Sequence, residues 1–193
     1  NGKYSLGTKL YIIGSNVADK LGLEKLIKPF ATALHDEFRE AVTVSVLEKN
    51  DLDAYKSVII YKLSGKQALN FNSAIGSRND CYCAGVGKCL LAFGENIDLS
   101  VYEKFGMRAY TEKTITNRKD FEAELQIVRE QGYALDDEER EKGLLCIAVP
   151  IMHKGYATAA ISLSGPKERM RENFAYKIKT LIKTAADISE AMK

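Results

Sequence analysis

Thiols come first among the side chains that could do chemistry. The chain carries four cysteines, Cys81, Cys83, Cys89 and Cys146, against two histidines, His35 and His153. A catalytic thiol needs its pKa lowered by a helix N-terminus or a basic neighbour. Cys83 stands just before Gly85-Val86-Gly87-Lys88, which opens a predicted helix, so one such neighbour is available. A thiol enzyme, for instance one that reduces methionine sulfoxide, is therefore an alternative to weigh. No Cys-x-x-Cys pair is present, however, and no nucleophile, base and orienting group can be assembled from the sequence. Zinc is a second use, with Cys81, Cys83, Cys146 and Asp136 as sulfur and carboxylate ligands, although Cys-x-Cys is an unusual spacing for structural zinc. The expectation is a protein that is not an enzyme and takes no metal and no cofactor.

Other residues suit binding. The glycines of Gly85-Val86-Gly87-Lys88 would let an anion approach the unpaired N–H groups of a helix start. They would equally let the helix pack tightly on a sheet. In Asp136-Asp137-Glu138-Glu139, neighbouring strand residues face opposite ways, so Asp136 and Asp137 cannot both point inward. Ser162 and Ser164 alternate with Ile161 and Leu163, which puts both hydroxyls on one strand face, either pocket or solvent. Cys146, in an apolar strand, reads most simply as a small core hydrophobe. Leu69 and Phe71 on one strand face, with Tyr82 and Cys83, could form an apolar pocket wall or plain core.

The elements that must position these residues follow from periodicity. Residues 8–22 and 23–38 have helical spacing, with Pro29 predicting a kink or restart in the second segment. Val42–Leu47 and Ser57–Leu63 are β-branched strands, and the turn-rich 49–53 between them predicts a hairpin. Residues 68–74 read as a weaker strand and 75–83 as a polar loop. Helices are predicted from Gly85 to Phe93, near 98–105, and after Asn117, an N-cap with Asp120 at the capping-box position. Gly132 suits the C-terminal cap of that last helix. A strand ending at Asp136 precedes two more, Leu145–Met152 and Tyr156–Leu163, joined at Lys154-Gly155. A strong apolar stripe predicts a final helix from Phe174 to Met192. Hairpin-linked strands with helices at both ends and a helical insertion make an α+β plan.

Composition excludes some partners. The 193 residues carry 28 basic and 26 acidic side chains, for a net charge of +2. Charges of both signs are interleaved, as in Glu138-Glu139-Arg140-Glu141-Lys142, so no concentrated basic surface for nucleic acid is present. No apolar run is long enough for a membrane span, and the start lacks an apolar signal segment. A cytoplasmic protein with reduced thiols is expected.

Three blocks in order now carry a resemblance. They are Ile75-Gly76-Ser77-Arg78 with Ala84 to Ala92, then Gly132 to Glu139 with Gly143 to Pro150, then Ala160-Ile161-Ser162-Leu163-Ser164-Gly165-Pro166. Together with Tyr4-Ser5-Leu6-Gly7 at the start, the chain resembles the effector-binding domain of IclR (isocitrate lyase regulator) family transcription regulators over nearly its whole length. The resemblance implies a GAF-like antiparallel sheet flanked by N- and C-terminal helices. It implies residues 1–22 as a linker after a winged-helix DNA-binding domain, and 23–193 as the effector-binding domain. It also implies a small organic or sugar-derived acid as effector, a homodimer or homotetramer, and DNA contact only through the winged helix. Gly85, Val86, Asp136, Cys146, Ser162 and Ser164 match the family's effector-contacting positions. Leu69, Phe71, Tyr82 and Cys83 are secondary candidates. A ligand-free oligomerisation module is the other alternative. The family has a Pro-Leu-His-type stretch at the pocket mouth where this chain reads Asn79-Asp80-Cys81-Tyr82. That departure leaves the ligand class open.

Overall fold

The computed structural model describes residues 23–49, 53–70 and 73–193, with Gly7–Lys9, Ile12 and Gly14 ahead of them. The predicted helix over 8–22, the centre of the 49–53 turn and Phe71 lie largely or wholly outside the described residues.

Six strands form one antiparallel sheet in the order β3-β2-β1-β6-β5-β4. They are β1 (Ala41–Glu48), β2 (Lys56–Leu63), β3 (Arg78–Asp80), β4 (Ala134–Asp137), β5 (Leu144–His153) and β6 (Tyr156–Pro166). Strand alternation gives the sheet two different faces. Leu145, Ile147, Val149, Ile161, Leu163, Val42 and Val44 point to one core. Helices α1 (Leu23–Phe38) and α6 (Phe174–Ala191) cover that core with Ile27, Leu34, Leu181 and Ile188. The opposite face carries the small residues Cys146, Ala148 and Ala160. Small side chains there let the inserted helices come close. These are α2 (Gly85–Ala92), α3 (Val101–Phe105) and α4 (Arg118–Gln131), and α5 (Lys167–Arg171) links β6 to α6.

Local signals hold where they rest on backbone chemistry. Asn117 Oδ1 accepts the Asp120 N–H at 2.9 Å, and Gly132 ends α4 at φ 79°. Helix α1 is continuous through Pro29, so it does not restart there. The expected weak strand at 68–74 is not a strand in its described part, and Leu69 is 69% exposed. The third strand, at one edge of the sheet, is instead β3, inside the stretch read as a polar loop, followed by a 3-10 turn at Cys81–Cys83. Polar residues suffice for β3 because it pairs only with β2, over Lys56–Val58.

Candidate functional site

Register across the small-residue face assembles the site. Asp136 pairs with Cys146, and Cys146 with Ser164. One row along, Ala148 pairs with Ser162, and Ser162 with Thr43. In the next row Ala160 faces Ser45, which faces Ile59 on β2. A polar strip thus crosses four strands, and the Thr43 and Ser162 hydroxyls are 2.8 Å apart within it.

Helix α2 meets this strip end-on. Its first residue packs so closely that a Cβ on Gly85 would lie 3.2 Å from Ala148 Cβ and 3.3 Å from Cys146 Sγ. No side chain caps the α2 N-terminus, so its first N–H groups are left for a ligand or water. Between helix and strip lies a narrow cavity of about 50 Å3, lined by all six primary candidates, Gly85, Val86, Asp136, Cys146, Ser162 and Ser164. Such a volume holds about one or two waters.

The described secondary candidates, Leu69, Tyr82 and Cys83, are elsewhere. Leu69 borders a different surface cavity, near Gly165. Tyr82 is core: its hydroxyl donates to Arg108 O at 2.8 Å and its ring packs edge-on against Tyr102. Cys83 is buried in the same cluster. Residues that sequence reasoning missed also line the cavity, notably Thr43, Ser45, Asn79 and Arg140. The alternation Val42-Thr43-Val44-Ser45-Val46 carried the signal for the first two. Arg140 was hidden in a mixed charge run.

Electrostatics decide what the site can do. Burial pushes the Cys146 thiol up to about 11 and Cys83 up to about 12, and raises Cys81 and Cys89 as well. None is a thiolate near neutral pH, the reverse of what a thiol nucleophile needs. All four thiols are free, and among the described residues no three His, Cys, Asp or Glu side chains group as a metal site.

Burial also pushes Asp136 up to about 6, against the pull of the backbone N–H groups of Arg140 and Glu139. Both N–H groups donate to Asp136 Oδ1, at 3.1 and 2.8 Å, so this carboxyl shapes the loop after β4. Glu139 is pushed up to about 7, again by burial, against the pull of Lys88. Lys88 is almost wholly buried on α2, donating to Glu139 Oε1 (2.5 Å), Glu124 Oε1 (2.8 Å) and Leu135 O (3.0 Å).

A pH dependence follows. A carboxyl raised on folding contributes stability that is full below its unfolded pKa and is lost as pH rises through the folded one. Asp136 and Glu139 therefore favour the fold at pH 5 over pH 8. The gap between 3.8 and about 6 at Asp136 corresponds to roughly 3 kcal/mol. Carboxyls that are lowered, such as Asp80, Asp137 and Glu138, act only at more acidic pH. The urea midpoint of the wild type is expected to fall from pH 5 to pH 8, and less so in Asp136→Asn, which keeps an acceptor for the two N–H groups. Equal pH slopes in the two proteins would contradict this.

A larger cavity, about 430 Å3, lies between α6 and the β5–β6 hairpin, lined by Val149, Met152, Ile182 and Ala186 among others. It is roomier but lacks a converging set of buried polar groups, which a specific small-molecule site needs. The narrower cavity is the one lined by converging buried polar side chains.

Comparisons with known proteins agree with this architecture. A family model for the C-terminal region of the bacterial transcriptional regulator IclR matches residues 15–190. The HTH-type transcriptional regulator KdgR of Escherichia coli (strain K12) is 32% identical over 186 residues, covering 95% of this chain and 69% of that protein. The crystal structure of Thermotoga maritima IclR superposes with a TM-score of 0.83 at 31% identity, covering 97% of this chain and 75% of that one. The inducer-binding domain of PobR from Acinetobacter, a double mutant in complex with 3-hydroxybenzoic acid, has a TM-score of 0.73 at 25% identity. That match covers 86% of this chain and 96% of that one. The chain spans between 62% and 69% of the length of the first three curated regulators it matches. With a family model over most of its length and relatives above 30% identity, the chain belongs to the IclR family of bacterial transcriptional regulators and corresponds to their C-terminal domain.

Proposed function

We propose that this domain is a sensor for a small organic or sugar-derived acid, and that it works by binding and not by catalysis. One observation carries the reading: an uncapped helix N-terminus and a strip of buried hydroxyls face each other across one cavity. The effector's carboxylate takes the N–H groups of Gly85 and Val86 and the hydroxyls of Ser162 and Ser164. Cys146 borders it, and Asp136 meets a ligand hydroxyl through the oxygen its own loop leaves less engaged. Homologues crystallised with hydroxybenzoates are in keeping with an acidic effector.

The cavity's size supplies the switch. A small acid needs more than about 50 Å3, so binding must part α2 and the loop after β4 from the sheet. Binding then favours the opened arrangement, because a ligand shifts an equilibrium only by its different affinity for two states. In the whole regulator, residues 1–22 act as the linker that carries this change to a winged-helix DNA-binding domain, in a cytoplasmic homodimer or homotetramer. No helix among the described residues is long and apolar enough to cross a membrane.

A thermal-shift screen against small carboxylic, sugar and aromatic acids tests the sensor reading. A native-state ligand stabilises the fold by mass action, by about 2.7 kcal/mol at a hundredfold excess over Kd, and so raises the melting temperature. At least one acid is expected to raise it by several degrees. Silence across the panel would favour a ligand-free oligomerisation module.

A further inference from the structure

The cavity contains two polar groups that the fold leaves unpaired. Ser45, on β1, is fully buried, and its Oγ has no hydrogen-bond partner. Arg140 lines the same cavity from the loop after β4, and its Nη1 is buried and also unpaired. Buried cations elsewhere can be fully engaged: Lys88 holds two carboxylates, and Arg169 grips Glu40.

Arg140 is held in place without an ion pair. Its backbone N–H donates to Asp136 Oδ1, and its guanidinium carbon lies 3.9 Å over the Tyr110 ring, a cation–π contact. The Tyr110 hydroxyl donates to Asp80, whose carboxylate is also paired with Lys56. Asp80, the acid on this side, thus has its own partners. Arg140 in this way ties the loop beyond β4 to β3, the opposite edge of the strand order, across the cavity. Ser45 belongs to the sheet floor beneath.

A buried donor without a partner costs about 1–3 kcal/mol, and more when charged. Two such groups on one cavity are explained if a ligand completes them. We propose that Arg140 is the charge partner of an anionic effector and that Ser45 holds a second polar group of the same molecule, so that the cavity takes a hydroxy acid. This rests on the sensor reading above and names the chemical class. Arg140 fixes the anion from the loop, Ser45 reads a hydroxyl from the sheet, and an uncharged analogue of the same skeleton loses the first contact.

The test uses glycerate, gluconate and 4-hydroxybenzoate, each beside its uncharged counterpart glycerol, sorbitol or 4-hydroxybenzyl alcohol. Thermal shift and titration calorimetry are run on the wild type, Arg140→Gln, Arg140→Lys and Ser45→Ala. At least one of the acids is expected to bind the wild type while its uncharged partner binds at least tenfold more weakly. Arg140→Gln should lose at least tenfold affinity for that acid, Arg140→Lys less, and Ser45→Ala several-fold. Unchanged acid binding in Arg140→Gln overturns the proposal and makes Arg140 a structural brace. Silence of the wild type toward all three acids overturns it as well. A response to other acids in the wider screen would then leave the sensor reading standing alone.

Discussion

Replacing Lys88 with methionine is expected to cost about 3–5 kcal/mol of stability at pH 8, the usual range when one partner of a buried ion pair is removed. Lys88 is 1% exposed and is the shared donor for Glu139, Glu124 and the Leu135 carbonyl. Methionine fills the space but leaves the Glu139 carboxylate buried and unpaired. The cost should shrink toward pH 5, where Glu139, pushed up to about 7, is protonated. It should shrink again in the double variant Lys88→Met/Glu139→Gln. Urea unfolding at both pH values reads all of this. A Lys88→Met cost below 1 kcal/mol at pH 8 would mean that the cluster does not tie α2 to the loop after β4.

Gly87→Ala is expected to be as damaging for a different reason. A Cβ at this position would lie 2.3 Å from Cys81 Cα and 2.6 Å from Cys81 O. These are backbone atoms of the turn that leads into α2, and they cannot swing aside. Overpacking of this kind costs about 3 kcal/mol or more. Gly85→Ala is the control. Its new methyl meets side-chain atoms at 3.2–3.3 Å, so the fold should lose only about 1 kcal/mol. Its main effect should be on effector binding, since the methyl enters the cavity wall. Urea midpoints of the two variants give the comparison, and equal midpoints would contradict the packing argument.

Much of this fold was legible in local chemistry. Asn117 and Gly132 bound helix α4 because capping is settled by a few neighbouring residues. Ser162 and Ser164 share a face because strand alternation requires it, but alternation alone left open which face. The answer came from pairing with Cys146 and Thr43 on neighbouring strands. Gly85 satisfies both of its readings at once, since it packs on Ala148 and also lines the cavity.

Long-range partners were not legible. Lys88 reads as an ordinary charge in the first turn of a helix, yet its partners lie 36 and 51 residues away. Arg140 sits in a run that looks like solvated loop, and only the fold brings it over Tyr110. The weak strand at 68–74 is not formed over its described part, where residues 66–69 are all exposed and no alternating face is buried. Short, polar β3 succeeds because β2 supplies its partners.

The most direct test of the account is amide chemical-shift mapping of this domain during titration with an acid that raises its melting temperature. The largest shifts are expected on Gly85, Val86, Cys146, Ser162 and Ser164 and on the loop from Asp136 to Arg140. Shifts centred instead on Val149, Met152 and Ile182, around the larger cavity beside α6, would contradict it.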